Sequence, residues 1–482
     1  MAEDRIPEHE ILIADSGEAA VRPDDRVDDE RHDEENRLKP SFVSAVHEAL
    51  AAGDKGAVYD LVEPLHAADI ADLIELLEPR ERAQLASAIS DLMTGDVVAE
   101  LNDYVREDLM EALPAQAVAS IAEQLDTDDA VQLIEDLDEA DQRAVMAELE
   151  PETREAVSSA LAYPEETAGR LMSRHFVAVP EHLTVGDLID YLRENGDLDH
   201  DFFEVFVIDE RHHPVGTCAL NWILTTPRSV KLTDVMKRDQ TLIPVTMDQE
   251  EVALMFQKYA LISAAVVDES GRLVGQMTVD DIVHIISEEA GEDALLLSGA
   301  GDGDINEPIV DSYKARVRWL LANLLTASVA SSVIAQFEDV IATMVALAVL
   351  MPIVAGIGGN AGTQTLAVTV RALATNQLTD ANTWRAIRRE LSIAVLNGAS
   401  VALVLGSIVA VLFQNPLLGL VIGGAILCNI VIAGIAGVCV PLLLQRLKAD
   451  PAISSSIFVT MTTDSMGFLV FLSLAVVSGL VG

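Results

Sequence analysis

Five apolar stretches, at about 319–337, 341–368, 391–413, 417–444 and 456–480, set the limits on what this chain can fold into. Each is near or above the ~20 residues that an α-helix needs to cross the hydrocarbon of a bilayer. Only structures that satisfy their own backbone polar groups span lipid, so the expectation is a C-terminal bundle of five transmembrane helices. The first stretch is the least apolar, with Asn323, Ser331, Ser332 and Gln336 inside it. The links orient the bundle. Lys314, Arg316 and Arg318 precede the first span, Arg371, Arg385, Arg388 and Arg389 lie between the second and third, and Arg446 and Lys448 lie between the fourth and fifth. The other two links hold Glu338-Asp339 and Gln414-Asn415-Pro416. Basic links stay on the inner side, which places the N-terminus inside and the C-terminus outside.

Charge is divided just as sharply. Residues 319–482 hold six acids and six bases, so the whole formal charge of −47 sits in residues 1–318, with 72 acids and 25 bases. A soluble half this acidic repels nucleic acid and gathers cations. Divalent-metal binding and adaptation to high salt both account for it. The three cysteines, Cys218, Cys428 and Cys439, have no metal-site spacing and give no disulfide framework. The opening MAEDRIPEHE shows no basic patch followed by an apolar run, so no signal peptide is expected.

Residues 1–40 read as a disordered acidic tail. Residues 41–163 read as an all-α, solenoid-like domain, in which ADIADLIELL at 68–77 is echoed by DAVQLIEDL at 129–137. Asp69, Asp72, Asp128 and Asp129 are expected to cap helices and line solvated faces. Residues 164–293 carry two αβ units offset by 59 residues: Val207-Ile208-Asp209 then Gly216, and Val266-Val267-Asp268 then Gly275. These units resemble a tandem pair of CBS domains, modules that bind adenosine nucleotides or metals. Thr278-x-x-Asp281 fits that family's ribose contact, which makes ATP a candidate regulator held by Thr278 and Asp281. Ala219–Trp222 in the first repeat lacks the pattern. Helix capping by the same two residues is the competing reading.

Asp281, Glu289, Glu292 and Asp293 load one helix with carboxylates toward its C-terminal half, against both the helix dipole and their own repulsion. A divalent cation would relieve that, since hard cations prefer carboxylate oxygens. Residues 294–317 are expected to form a connector helix, and 318–482 the transmembrane domain.

Two features stand out within the spans. Pro352, Gly356, Gly358, Gly359 and Gly362 crowd the second, beside Asn360 and Gln364. In a membrane helix such glycines permit close packing or expose carbonyls to a pore. Asp464 lies in the fifth span, with Thr460 and Gly467 on its helical face. An intramembrane carboxylate costs roughly 2.5–3.5 kcal/mol on insertion scales and marks a functional site. A partly hydrated Mg²⁺ suits it; proton relay and a structural hydrogen bond are the rivals. One Asp does not neutralise a divalent ion, which favours a homodimer with a pore on its axis, lined by spans two and five.

The arrangement over residues 41–482 resembles the MgtE family of magnesium channels. Pro352 followed by Gly358-Gly359-Asn360-Ala361-Gly362-Thr363-Gln364 and Arg371-Ala372-Leu373-Ala374 matches its second-span text. Arg318-Trp319-Leu320, Asn323-Leu324-Leu325-Thr326 and Phe337-Glu338 resemble its first span, and Asp450-Pro451 with Thr462-Thr463-Asp464-x-x-Gly467 its last. The resemblance implies Asp464 as the pore carboxylate, Gly358, Gly359, Asn360, Thr460 and Gly467 as pore lining, and Asp281, Glu289, Glu292 and Asp293 as ligands of regulatory Mg²⁺. His284 stands where the family often has another acid. The expected function is passive Mg²⁺ influx through a multi-pass protein of a prokaryotic cytoplasmic membrane, gated by intracellular Mg²⁺. A carrier of Mn²⁺, Co²⁺ or Zn²⁺ on the same fold, and a non-transporting CBS-type membrane sensor, are the alternatives. No nucleophile–base set, Walker sequence or phosphorylated-Asp motif points to an enzyme.

Overall fold

The computed structural model describes residues 31–194, 202–299, 305–379, 381–448 and 451–481, excluding the side chains of residues 293, 298 and 451–454. The chain divides into two compact units, one ending at Leu113 and the other starting at Pro114. Most of the expected tail, residues 1–30, and Asp450 of the last-span text lie outside the described residues. Residues 31–39 depart from the expected tail: a bridge joins His32 to Leu38, and Lys39 N donates to Arg31 O at 2.7 Å.

The first unit holds α1 (Pro40–Ala52), α2 (Lys55–Val62), α3 (Ala67–Glu75), α4 (Pro79–Ala88), α5 (Gly95–Ala99) and α6 (Asp103–Glu111). Each is too short to persist alone in water, and the apolar faces hold them together through buried Val46, Ile70, Leu73, Ile74, Leu85 and Val105. Their ends are closed by side chains: Arg82, itself buried, donates to Ile74 O at 3.2 Å, eight residues back.

The second unit opens with α7 (Ala115–Ala122), α8 (Thr127–Glu135), α9 (Glu139–Glu148) and α10 (Pro151–Ala160). The same eight-residue closure recurs, Gln142 to Ile134 O at 3.2 Å and Arg154 to Met146 O at 2.7 Å. The solenoid-like repeat is thus written in polar clasps as well as apolar spacing.

There follow α11 (Ala168–Leu171), β1 (Ala178–Pro180), α12 (Val185–Glu194), β2 (Glu204–Ile208), β3 (Pro214–Ala219), α13 (Leu220–Thr225), α14 (Leu232–Val235), β4 (Leu242–Pro244), α15 (Gln249–Tyr259), β5 (Ser263–Val267), β6 (Leu273–Thr278) and α16 (Val279–Ser298). Two three-stranded sheets, β1-β2-β3 and β4-β5-β6, each pair one parallel and one antiparallel neighbour. Val207 faces Gly216 and Val266 faces Gly275, with a register shift just beyond each, so the 59-residue repeat is structural. The repeats also exchange edges: Ser173, ahead of β1, bridges Gln276 on β6, while Lys237, ahead of β4, bridges Thr217 on β3. Gly275 makes the first exchange possible, because a Cβ there would sit 2.6 Å from Met172 Sδ.

Of the expected 294–317 connector, residues 294–298 and 309–317 belong to two different helices. α16 runs unbroken to Ser298 and stops at Gly299, whose φ of 70° lies in the left-handed region. A new helix, α17 (Ile309–Ala335), starts after Pro308 and continues into the first apolar stretch. Then come α18 (Glu338–Thr343), α19 (Val345–Ala374), α20 (Thr383–Leu412), α21 (Pro416–Arg446) and α22 (Pro451–Val477). Five of these helices are long and apolar enough to cross a membrane. The most buried, α21, forms the centre on which α19, α20 and α22 pack, through Leu347, Val354, Ala425, Ile426 and Phe471. The outer faces expose Leu320, Leu324, Leu396, Leu403 and Val411. That much apolar surface has no place in water.

Candidate cation sites in the membrane helices and at the CBS junction

The glycine-rich text of α19 divides by helical face. Gly358 and Gly362, one turn apart, are buried, while Gly356 and Asn360 are exposed and Gly359 is half-buried. A Cβ on Gly362 would lie 2.6 Å from Val459 Cγ1 of α22, and one on Gly358 would lie 2.1 Å from Asn429 Nδ2 of α21. Nothing stands within 4 Å of a Cβ on Gly356 or Gly359. One face of the motif therefore serves helix packing, and the other is left open.

The fifth span shows the same division. Asp464 is half-buried, and among the described residues it makes no hydrogen bond or ion pair. Thr460 is exposed one turn earlier, and its carbonyl accepts from Thr463 Oγ1 at 3.0 Å. Gly467, by contrast, is buried, and a Cβ there would lie 2.6 Å from Asn429 Nδ2. Of the residues expected to line a pore, Gly359, Asn360 and Thr460 keep some exposure, whereas Gly358 and Gly467 flank Asn429. Sequence reasoning passed over Asn429; its signal was a lone amide in the apolar run ILCNIVIAG.

At the junction the described members of the expected ligand set, Asp281, Glu289 and Glu292, do not gather at one point. Asp281, in the first turn of α16, accepts from Thr278 Oγ1 at 2.7 Å and Thr278 N at 3.2 Å, a reciprocal helix cap. The pair expected to contact a ribose is thus engaged in capping. Asp281 also acts on the half-buried Asp128 at the start of α8. Burial, then the nearby Asp281, Asp129 and Asp126, hold the Asp128 carboxyl well above the usual carboxylate range. Asp128 Oδ1 is buried without a hydrogen-bond partner. Burial likewise raises Asp281, against the lowering effect of Thr278. Beside them His175 Nδ1 meets Asp126 Oδ1 at 2.7 Å.

Two turns along α16, Glu289 accepts from the buried Gln249 amide. Burial raises the Glu166 carboxyl, with Glu289 next among the causes, then Asp248 and Glu165. Glu292 is exposed, and the Asp293 side chain lies outside the described residues. Among the described residues no three His, Cys, Asp or Glu side chains stand close enough together to hold a metal within the single chain. The acids act on one another in two places instead, Asp281 on Asp128 and Glu289 on Glu166. From the sequence, Asp128 reads as a helix cap or part of a solvated face. Its burial against Asp281 comes from the tertiary fold. An orphaned carboxylate oxygen facing a second carboxylate suits a hard divalent cation.

These features define a polytopic membrane protein with a tandem CBS-like module and a carboxylate within its spans. Comparison with known proteins agrees. Residues 351–474 match the MgtE family, described as a divalent cation transporter, residues 65–166 match the MgtE intracellular N domain, and residues 168–218 and 232–288 match the CBS domain. The magnesium transporter MgtE of Bacillus subtilis (strain 168) is 34% identical over 324 residues, 66% of this chain and 71% of that protein. That of Thermus thermophilus is 34% identical over 325 residues, again 66% and 71%, and that of Enterococcus faecalis 32% over 319, covering 66% and 70%. The chain belongs to the MgtE family of divalent cation transporters. Among solved structures, the soluble part of a magnesium transporter is 24% identical with a TM-score of 0.46, over 52% of this chain and 98% of that one. The cytosolic domain of the Mg²⁺ channel MgtE in complex with ATP is 28% identical with a TM-score of 0.47, over 50% and 99%.

Proposed function

We propose that this protein is a Mg²⁺-selective channel, acting as a homodimer, that passes Mg²⁺ inward and is closed by intracellular Mg²⁺ on its acidic N-terminal half. Asp464 carries the reading: a carboxylate on a spanning helix, half-buried, with no cationic or hydrogen-bonding partner among the described residues. A passing cation offsets the cost of keeping it there. The relatives named as magnesium transporters and the open face of the α19 motif support the choice of ion and path. The basic links of the spans support an acidic half in the cytoplasm and a C-terminus outside. With that orientation the membrane potential favours entry of a divalent ion by about 4.6 kcal/mol per 100 mV, twice the single-charge value.

The sensor would be the pairing of Asp128 with Asp281, joined by Glu289 with Glu166 and by Glu292 and Asp293. A hard cation bound there supplies positive charge between carboxylates that burial otherwise penalises. With low internal Mg²⁺, repulsion between Asp128 and Asp281 loosens α8 from α16, and α16 leads toward the membrane helices. Its end packs Leu296 and Leu297 against Leu366, Val370 and Val459 of α19 and α22, so a shift of α16 reaches the two helices that bear Asn360 and Asp464. ATP, bound at Thr278 and Asp281, remains a candidate regulator, and its site would have to open the present cap.

The test is ion flux with purified protein in liposomes, comparing Mg²⁺, Mn²⁺ and Ca²⁺ with and without millimolar Mg²⁺ on the N-terminal side. Mg²⁺ flux that stops when that Mg²⁺ is present supports the reading. Flux that ignores it removes the sensor, and the absence of any cation flux leaves the non-transporting CBS sensor.

A further inference from the structure

Asn429 lies in α21, which contributes neither the glycine motif nor Asp464. Its side chain is wholly buried, with the apolar Ile426, Ile430 and Ala433 on neighbouring turns. Nδ2 donates to Val354 O of α19 at 3.0 Å, across 75 residues of sequence. That bond fixes the amide orientation, since a flipped amide would set oxygen against carbonyl oxygen. Oδ1 is buried and receives no hydrogen bond among the described residues. On one side a Cβ on Gly358 would stand 2.1 Å from Nδ2; on the other, a Cβ on Gly467 would stand 2.6 Å from it. Only hydrogen fits at both positions.

A half-satisfied amide is a poor choice for filling a bundle. A leucine, with the same number of side-chain heavy atoms, would occupy the place without leaving a side-chain polar atom unpaired. The amide nevertheless does what an apolar side chain does not: it bonds α19 while wedging α22 away from it. Gly467 is one turn from Asp464, and Gly358 is two residues from Asn360.

We propose that Asn429 is a positioning residue for the ion path, fixing the spacing and rotation of α19 against α22 and thereby where Asp464 stands relative to the open face at Asn360. It acts through those helices and does not touch the ion. This rests on the channel reading above.

The test uses the full-length protein in liposomes with an entrapped Mg²⁺ indicator, with flux normalised to folded dimer and the Mg²⁺-to-Ca²⁺ flux ratio recorded. Asn429→Leu is expected to lower maximal Mg²⁺ flux about tenfold, as loss of one hydrogen bond and its wedge warrants, and to change the flux ratio, which reduced folding alone would not move. Gly358→Ala is expected to lose flux to a similar extent and to move the ratio in the same direction, because its added methyl displaces the same amide. Asn429→Leu with unaltered flux and ratio overturns the proposal. Should that variant not assemble, unaltered flux and ratio in Gly358→Ala overturn it instead. Asp464→Asn separates the two levels of argument: full flux in that variant defeats the channel reading, whereas lost flux together with indifference at Asn429 defeats only the positioning role.

Discussion

Replacing Asp128 by asparagine separates charge from shape where Asp128 of α8 and Asp281 of α16 act on each other. The amide keeps the volume, removes the negative charge beside Asp281, and adds donors beside a carboxylate. Asp128 Oδ1 is buried and unpartnered, and a buried polar group in that state costs about 1–3 kcal/mol, more when charged. With divalent cations chelated, Asp128→Asn should therefore hold the contact more tightly than wild type by about 1–3 kcal/mol, a factor of about 5–150. The same change removes one of the two carboxylates offered to a cation. The Mg²⁺ needed to protect the contact should rise by at least the roughly 10–100-fold that loss of a supporting partner costs a metal site. Hydrogen exchange of the amides of α8 and α16, in full-length solubilised protein titrated with Mg²⁺, reads both effects. An unmoved Mg²⁺ midpoint, with weaker protection in chelator, would refute the assignment of this pairing.

Further outcomes follow from the CBS module. Asp268 accepts from Ser270 and Arg272, which hold its carboxyl well below the usual range, Ser270 contributing most. Its folded form titrates below the unfolded chain, so it contributes stability above about pH 4 and loses it as pH falls through the folded value. Asp268→Asn should lower the melting temperature at pH 7, and the gap from wild type should narrow in acid; a gap that widens in acid would contradict this. Burial pushes the Cys218 thiol up to about 11. Cys218 should resist iodoacetamide at pH 8 in the folded protein and react on unfolding, as peptide mass spectrometry would show. Rapid modification of the native protein would place that strand end differently.

Much of this architecture was legible in the chain. Lipid demands about 20 apolar residues per crossing, so the five spans could be counted. The 59-residue offset of Val207 and Gly216 from Val266 and Gly275 reappears as paired registers. Asp464 was legible because nothing else in the spans resembles it. Helix ends were harder. The stop at Gly299 and the start after Pro308 are present in the sequence, yet an amphipathic, acidic run hides where one helix gives way to the next. Tertiary partners were not legible. Asp128 looks like any first-turn acid until the fold brings Asp281 within its electrostatic reach, and Asn429 like a stray amide until two glycines are found against it. Gly358 and Gly359 are neighbours in one motif, but a 100° step around the helix sends the first into packing and the second toward the open face.

Asp464 remains the point on which the account stands or falls. The direct measurement is Mg²⁺ uptake into liposomes by purified Asp464→Ala beside wild type, with size-exclusion profiles confirming equal assembly. The account predicts an intact oligomer that no longer carries Mg²⁺ at a measurable rate. Wild-type uptake by the alanine variant would contradict it.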